Sequence, residues 1–259
     1  MGKGYFAGID SGSTSTDVVI LDREREIVSS VIMPTGAGAA NGAERALEEA
    51  LRQSGLNRED IDAVVTTGYG RTAISDGDKS ITEITCHARG AHFLDSSVRT
   101  VVDIGGQDSK VIRLNDDGSV KNFVMNDKCA AGTGRFLEMM AKTMEMSLDE
   151  LSKVGLSYQE DITISSMCTV FAESEVVSLI AQNKATDDIV HGLNKAVAAK
   201  TASLVKRVEG EEAYMMTGGV AQNQGLVRTL EERLGTKLVI SDKSQLCGAL
   251  GAALFAAEM

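Results

Sequence analysis

Residues 10–21 read Asp-Ser-Gly-Ser-Thr-Ser-Thr-Asp-Val-Val-Ile-Leu, residues 103–114 read Asp-Ile-Gly-Gly-Gln-Asp-Ser-Lys-Val-Ile-Arg-Leu, and the two stretches align without a gap. In both copies an apolar run precedes Asp-x-Gly, and a second apolar run follows a short polar turn. This pattern predicts a strand, a tight turn and a second strand, with the aspartate at the end of the first strand. Backbone N–H groups and hydroxyls of two such hairpins could hold a polyphosphate, and each aspartate could help to hold hydrated Mg²⁺. The sequence therefore predicts a duplicated nucleotide-binding fold.

The duplication extends to a second pair of predicted strands. Val64-Val-Thr-Thr-Gly68 resembles Met215-Met-Thr-Gly218, and each run ends in Thr-Gly. The interval from the hairpin aspartate to this threonine is 57 positions in the first copy and 114 in the second. The second copy therefore contains an insertion, which includes Cys129 and Cys168. Extra sequence in one half of a duplicated fold is where we expect a specialised function.

The composition indicates a globular protein that binds neither nucleic acid nor a membrane. The chain has 259 residues, 43% of them hydrophobic, and a net charge of −11, whereas nucleic-acid binding depends on clusters of Lys and Arg. No apolar stretch has the length of a membrane span and no signal-peptide pattern is present, so a cytoplasmic location is expected. The four cysteines lack C-x-x-C spacing, which argues against a disulfide framework.

Alternating strand and helix patterns predict two lobes. Strands are predicted at residues 4–10, 16–22, 26–34, 61–67, 100–104, 109–115, 119–126, 212–217 and 237–241. Helices are predicted at residues 42–53, 83–94, 187–208 and 223–234 and from residue 244 onward. Lobe I is expected to cover residues 1–97 and lobe II residues 98–243, with the final helix, 244–259, packing back on lobe I.

Three glycine-rich motifs resemble those of a known superfamily. Gly8-Ile-Asp-Ser-Gly-Ser-Thr14, Val102-Asp-Ile-Gly-Gly-Gln107 and Met216-Thr-Gly-Gly-Val-Ala221 look like the phosphate-1, phosphate-2 and adenosine motifs of the actin/Hsp70/sugar-kinase superfamily. Gly132-Thr-Gly134 and Gly248-Ala-Leu-Gly-Ala252 resemble its small-residue connecting helices. The resemblance implies an α/β fold of duplicated RNase-H-like, actin-like ATPase lobes with ATP in the cleft between them.

Cys129 and Cys168 each precede a helix-like run, and a helix N-terminus favours an anion such as a thiolate. Two thiols cannot complete a Cys₄ [4Fe–4S] site, but two chains around a two-fold axis can. From spacing alone, small buried hydrophobes remain the alternative for both cysteines.

The segments around these cysteines closely resemble a specific family. Asn126-Asp-Lys-Cys-Ala-Ala-Gly-Thr-Gly-Arg-Phe136 and Ile164-Ser-Ser-Met-Cys-Thr-Val-Phe-Ala-Glu-Ser-Glu175 look like the cluster motifs of the 2-hydroxyacyl-CoA dehydratase activators, and the similarity runs from end to end. The resemblance implies a homodimer bridged by one [4Fe–4S] cluster, with Cys129 and Cys168 of each subunit as its ligands. It also implies a one-electron donor that couples MgATP hydrolysis to electron transfer. The electron would come from ferredoxin or flavodoxin and pass to an iron–sulfur dehydratase or reductase.

The same resemblance assigns roles at the nucleotide site. Asp10 and Asp103 are expected to orient hydrated Mg²⁺ and the phosphates, and Gln107 to sense the γ-phosphate or position water. The phosphates are expected to contact Ser11, Gly12, Ser13 and Thr14 on one side and Gly105 and Gly106 on the other. Gly218, Gly219 and Gln222 are expected to line the adenosine pocket.

Several residues keep two interpretations. Glu173 and Glu175 either couple the nucleotide to the cluster or are solvated helix charges. Cys86 and Cys247 are expected to be core residues, and His87 an ordinary helix residue.

Four alternatives to a dehydratase activator remain. They are the ATP-binding subunit of a benzoyl-CoA-type reductase, an activator of a double-cubane-cluster reductase, a small-molecule kinase and an ATP-gated scaffold. Bound iron is expected in the first two and not in the last two.

Overall fold

The computed structural model describes residues 4–75, 77–165 and 168–259. Its strands are β1 (Tyr5–Ser11), β2 (Ser15–Leu21), β3 (Ile27–Pro34), β4 (Ile61–Thr67), β5 (Lys79–Ser80), β6 (Thr100–Ile104), β7 (Ser109–Leu114), β8 (Val120–Asn126), β9 (Tyr214–Thr217) and β10 (Leu238–Val239). Its helices are α1 (Ala39–Ser54), α2 (Glu83–Leu94), α3 (Gly134–Thr143), α4 (Leu148–Val154), α5 (Thr169–Ala181), α6 (Thr186–Arg207), α7 (Gln224–Leu234) and α8 (Cys247–Ala256).

Two five-stranded sheets repeat one strand order. The first sheet reads β3-β2-β1-β4-β5, and the second reads β8-β7-β6-β9-β10. Strand by strand these are the same topology, because β6 to β10 take the places of β1 to β5. In the first sheet β1 pairs antiparallel with β2 and parallel with β4. The predicted α/β fold with duplicated lobes is therefore confirmed.

The β1–β2 hairpin places its two aspartates opposite each other. In the antiparallel register Asp10 faces Asp17. Directly opposed residues of an antiparallel pair project from the same face of the sheet. The predicted strand, turn and strand of the first motif are therefore confirmed.

Helix α1 forms because small apolar residues recur at helical spacing. The apolar face of the helix is buried at Ala43, Ala46, Leu47, Ala50 and Leu51. The helix ends at Gly55, whose φ of 70° is the left-handed conformation that glycine adopts most easily.

Helix α8 packs closely against β1 and α2 because the residues at these contacts are small. A Cβ atom on Gly8 of β1 would collide with the backbone of α8, and one on Gly251 would collide with the backbone of Cys86 in α2. Small residues thus let α8 lie directly against both elements. Its core contacts include Leu250 and Leu254, which are fully buried.

The chain divides into two compact units. The first comprises residues up to Val101 together with residues 114–121 and 241–259, and the second comprises residues 102–113 and 122–240. The second unit has a large core formed around Phe136, Met140 and Leu193. None of the helices within the described ranges is long and apolar enough to cross a membrane.

Several elements of the structure differ from the predicted ones. The final α-helix begins at Cys247 rather than at residue 244, because a 3₁₀ turn occupies Ser244–Leu246. Strand β10 has two residues rather than five. The insertion of the second copy contributes α4, which was not predicted.

Candidate functional site

The turn of the first hairpin is closed by its own backbone and presents two exposed side chains. Gly12 N–H donates to the carbonyl of Ser15 at 2.9 Å, and Thr35 Oγ1 donates to the carbonyl of Gly12 at 2.8 Å. Ser13 and Thr14 are exposed at the tip, whereas Ser11 is buried. The tip can therefore offer hydroxyls and backbone donors to an anion, while Ser11 belongs to the support of the turn.

Asp10 lies where two glycines leave room for its carboxylate. A Cβ atom on Gly68 would collide with Oδ1 of Asp10, and one on Gly248 would collide with Oδ2. His87 of α2 is buried and brings Nε2 to 3.7 Å from Asp10 Oδ2. His87 was expected to be an ordinary helix residue, but the structure sets it beside the first predicted magnesium residue.

The second hairpin carries a buried charged cluster, consisting of Asp103, Asp108 and Lys110. The ammonium of Lys110 lies 2.7 Å from Asp103 Oδ2 and 2.7 Å from Asp108 Oδ2. The hydroxyl of Thr217 donates to Asp103 Oδ1 at 2.9 Å. Sequence reasoning identified Asp103 but missed Asp108 and Lys110. The sequence did contain a signal for this cluster, because Lys110 is a charged residue at the start of an apolar strand. Lys is almost never buried without a partner, so a buried Lys indicates a nearby carboxylate.

The turn after β6 bonds to the start of α3. Gly105 N–H donates to the carbonyl of Asp108 at 3.0 Å and closes the turn. The carbonyls of Gly105 and Gly106 accept from the N–H groups of Gly134 and Arg135, each at 2.8 Å. These donors belong to the first turn of α3, whose N–H groups have no partner within the helix.

The remaining residues that were predicted to contact the nucleotide differ in their exposure to solvent. Gln107 is exposed at the tip of the turn after β6, and Gly219 and Gln222 are exposed after β9. Gly218 is buried at a φ of 81°, and a Cβ atom there would lie 2.9 Å from Asp103 Oδ1. Gly218 therefore gives Asp103 its space, while the other three are open to a ligand.

The four cysteines form two classes. Cys129 and Cys168 are exposed, whereas Cys86 and Cys247 are buried. Burial raises the pKa of Cys86 to about 12, so its thiol stays protonated at neutral pH. The core assignment of Cys86 and Cys247 is confirmed, and the alternative of buried hydrophobes is wrong for the other two.

Each exposed cysteine lies next to a helix start. The Cys129 carbonyl accepts from Asn126 Nδ2 at 2.8 Å, five residues before α3 begins. Cys168 is the N-cap residue of α5. Ser166 and Met167 of the same motif lie outside the described residues.

The two glutamates of α5 are held by hydrogen bonds. Glu173 Oε1 accepts from Thr143 Oγ1 at the end of α3 at 3.1 Å. Both carboxylate oxygens of Glu175 accept from Ser165 N–H, at 3.1 and 3.0 Å. Glu173 thus links α5 to the end of α3, and Glu175 links α5 to the segment before it.

The donor set fits an iron–sulfur cluster shared between chains. Across residues 4–75, 77–165 and 168–259, no group of three or more His, Cys, Asp or Glu side chains is arranged to hold a metal. One chain instead offers two exposed thiols beside helix starts. That is half of a Cys₄ ligand set.

The sequence and the fold match one group of proteins. Residues 7–256 match the BadF/BadG/BcrA/BcrD ATPase family. The chain is 49% identical over 252 residues to the 2-hydroxyisocaproyl-CoA dehydratase activator of Clostridioides difficile, covering 97% of this chain and 94% of that protein. It is 48% identical over 254 residues to the activator of lactoyl-CoA dehydratase of Anaerotignum propionicum, covering 98% of each.

A solved structure extends the match to three dimensions. The activator of the 2-hydroxyisocaproyl-CoA dehydratase from Clostridium difficile with bound ADPNP superposes with a TM-score of 0.94 at 48% identity. The superposition covers 98% of this chain and 94% of that one. These matches confirm the resemblance found in the motifs. The chain belongs to the BadF/BadG/BcrA/BcrD ATPase family.

Proposed function

We propose that this ATPase activates an iron–sulfur 2-hydroxyacyl-CoA dehydratase by donating one electron in a reaction driven by MgATP. Relatives at 49% and 48% identity are named as activators of 2-hydroxyisocaproyl-CoA and lactoyl-CoA dehydratases, which supports the proposal. The electron donor to this chain would be ferredoxin or flavodoxin. The acyl-CoA itself would bind to the partner dehydratase.

MgATP would be held by residues of both hairpins. Asp10 and Asp103 would orient hydrated Mg²⁺, which would neutralise phosphate charge. The exposed tips would supply donors to the phosphates from Gly12, Ser13, Thr14, Gly105, Gly106 and Gln107, supported by Ser11. Gly219 and Gln222 would contact the adenosine, with Gly218 shaping that segment.

Cys129 and Cys168 would be the protein ligands of a [4Fe–4S] cluster, and a second copy of the chain would supply the other two. The cluster would serve as the one-electron carrier. Its proximity to the starts of α3 and α5 would favour its negative charge. Movement of either helix would alter hydrogen bonds and solvent exposure around the sulfurs, which tune its potential.

The proposal rests on a chain of hydrogen bonds that links the turn after β6, here called the phosphate turn, to the segments of both cysteines. Gly105 and Gly106 accept from the first turn of α3, which follows Cys129. The end of α3 is tied through Thr143 to Glu173 of α5. Helix α5 in turn starts at Cys168. A displacement of the phosphate turn would therefore reach the segments of both thiols.

An apolar face on α5 supports the second copy as the partner. Val170 and Phe171 are 62% and 66% exposed, and Val177 is 53% exposed. Three large apolar side chains on one exposed helix immediately after a ligand cysteine form a patch that water disfavours. A second copy of α5 would cover this face and bring the missing thiols together.

The cluster is tested by the iron and acid-labile sulfide content of anaerobically purified protein. We expect about four of each per two chains in the natural protein. The Cys129→Ser/Cys168→Ser variant should lose both, while the matched Cys86→Ala variant should keep them because Cys86 is buried in the first unit. Absence of iron after anaerobic reconstitution would refute the electron-donor proposal and leave an ATP-dependent kinase or scaffold.

A further inference from the structure

Lys110 carries a positive charge inside the protein. It lies at the second position of β7 and is 3% exposed. Its ammonium contacts Asp103 and Asp108, which are 2% and 5% exposed. Removing charges from water costs several kcal/mol per ion unless they are paired with good geometry. A buried ammonium with a buried carboxylate at 2.7 Å on each side is therefore a costly arrangement in need of a role.

The geometry fixes both oxygens of Asp103. Oδ2 accepts from Lys110 and Oδ1 accepts from Thr217, on a different strand. Side chains from two other strands, β7 and β9, therefore fix the orientation of the Asp103 carboxylate.

Lys110 also fixes the turn of the second hairpin. Its ammonium holds the Asp108 side chain, while the Asp108 carbonyl accepts from Gly105 N–H. One side chain thus joins Asp103, at the end of β6, to the far end of the turn that exposes Gln107.

The first hairpin lacks this arrangement. At the position that aligns with Lys110 it has Asp17, and the basic group near Asp10 is His87 at 3.7 Å. Asp10 and Asp103 are equivalent in the duplication, but they have different charged neighbours.

We infer that Lys110 is the positioning residue of the magnesium site. It holds the Asp103 carboxylate in one orientation for the cation, and through Asp108 it holds the turn after β6 in register with Asp103. The inference rests on the nucleotide part of the proposed function. Lys110 itself contacts neither the nucleotide nor the metal.

The test measures how much Mg²⁺ strengthens ATP binding, by calorimetric titration with ATP in excess Mg²⁺ and in excess EDTA. In Lys110→Met we expect the Mg²⁺-dependent gain in affinity to fall about tenfold, the size of one charge-assisted hydrogen bond. Metal-free ATP should bind within about threefold of the natural protein. A merely structural role would weaken both titrations in parallel.

A second variant separates positioning from the cost of unpaired charge. Lys110→Met leaves two buried carboxylates, whereas Lys110→Met/Asp108→Asn restores the original net charge of the cluster. We expect the double variant to recover the melting temperature but not the Mg²⁺ effect, and the single variant Asp108→Asn to keep most of that effect. If Lys110→Met does not fold, the double variant alone decides.

The matched control is Lys195→Met, which removes a lysine paired with Asp161 at the surface of the same unit. It should behave as the natural protein in both titrations. An unchanged Mg²⁺ effect in the Lys110 variants would overturn the inference while leaving the proposed function intact. Failure of the natural protein to bind ATP at all would overturn the proposed function and the inference with it.

Discussion

At the scale of single residues, the four thiols differ in ways that set their chemistry. The thiolate is the reactive form of cysteine, so both exposure and pKa matter. Cys129 and Cys168 are exposed, while Cys86 combines burial with a pKa raised to about 12. Cys247 is buried and donates from Sγ to the carbonyl of His87 at 3.5 Å.

We therefore predict selective alkylation of the reduced, metal-free protein. Iodoacetamide at pH 8 should modify Cys129 and Cys168 at least about tenfold faster than Cys86 and Cys247, because the latter two are buried and burial also raises the pKa of Cys86. Peptide mass spectrometry after brief labelling measures the two classes. Labelling in denaturant should make all four equal, and fast native labelling of Cys86 would contradict the prediction.

The sequence predicted those residues of the candidate site that belong to short motifs. Asp10 and Asp103 follow from the repeat, because each begins an Asp-x-Gly sequence near a strand end. His87 was missed because α2, which brings it to Asp10, lies far along the chain. Lys110 was missed because the folded hairpin, and not the order of the residues, brings it together with both Asp103 of β6 and Asp108 of the turn.

At the scale of elements, the sequence predicted the longer helices and missed the shortest α-helix, α4. Helix α2 has the predicted bounds, and α1 and α6 differ from theirs by a few residues. Helix α4 is seven residues long, and its start depends on reciprocal bonds between Ser147 and Glu150 rather than on an apolar stripe. Such a short element has too few turns for periodicity to detect.

Helix α6 contains a histidine that should make stability depend on pH. The ring of His191 stacks on Tyr158 with centroids 3.4 Å apart. Burial lowers the pKa of His191 below its ordinary 6.5, and this effect exceeds the opposite influence of Asp161. The folded protein therefore resists protonation of this ring.

We predict that the free energy of unfolding falls as the pH drops below about 6.5, because His191 then binds a proton more readily in the unfolded chain than in the folded one. The slope should not exceed about 1.4 kcal/mol per pH unit for one proton. Urea unfolding at pH 7.5, 6.5 and 5.5 measures it.

The His191→Gln variant should have a flatter profile in this range. The carboxylates of Asp161 and Asp188 do not interfere, since hydrogen bonds lower the pKa of each below 3.8. An identical slope in the natural protein and the variant would show that His191 is not the group responsible.

At the scale of the whole molecule, the chain holds two cores that depend on different parts of the sequence. The first unit includes Leu250 of α8 in contact with Val19 and Leu21 of β2. The second is formed by residues such as Leu193 and Phe136. Residues 241–259, which include α8, belong to the first unit.

We predict that a cavity in either core raises hydrogen exchange mainly in the unit that contains that core. Leu250→Ala should destabilise the protein by about 2–5 kcal/mol and raise amide hydrogen exchange in β1, β2 and α2. The matched Leu193→Ala variant should cost a similar amount and raise exchange in α6 and α7 instead. Mass spectrometry of exchanged peptides locates each effect, and a uniform increase across both units in either variant would contradict the prediction.

The membership of α8 in the first unit has a consequence for biosynthesis. Strand β1 leaves the ribosome early, but the helix that covers it is translated only after the entire second unit. At about 5–20 residues per second, the nascent β1–β2 hairpin waits on the order of tens of seconds with one apolar face uncovered. The second unit can fold before α8 is made, whereas the first unit can close only once α8 has been translated, so its apolar surface is open to chaperones during that interval.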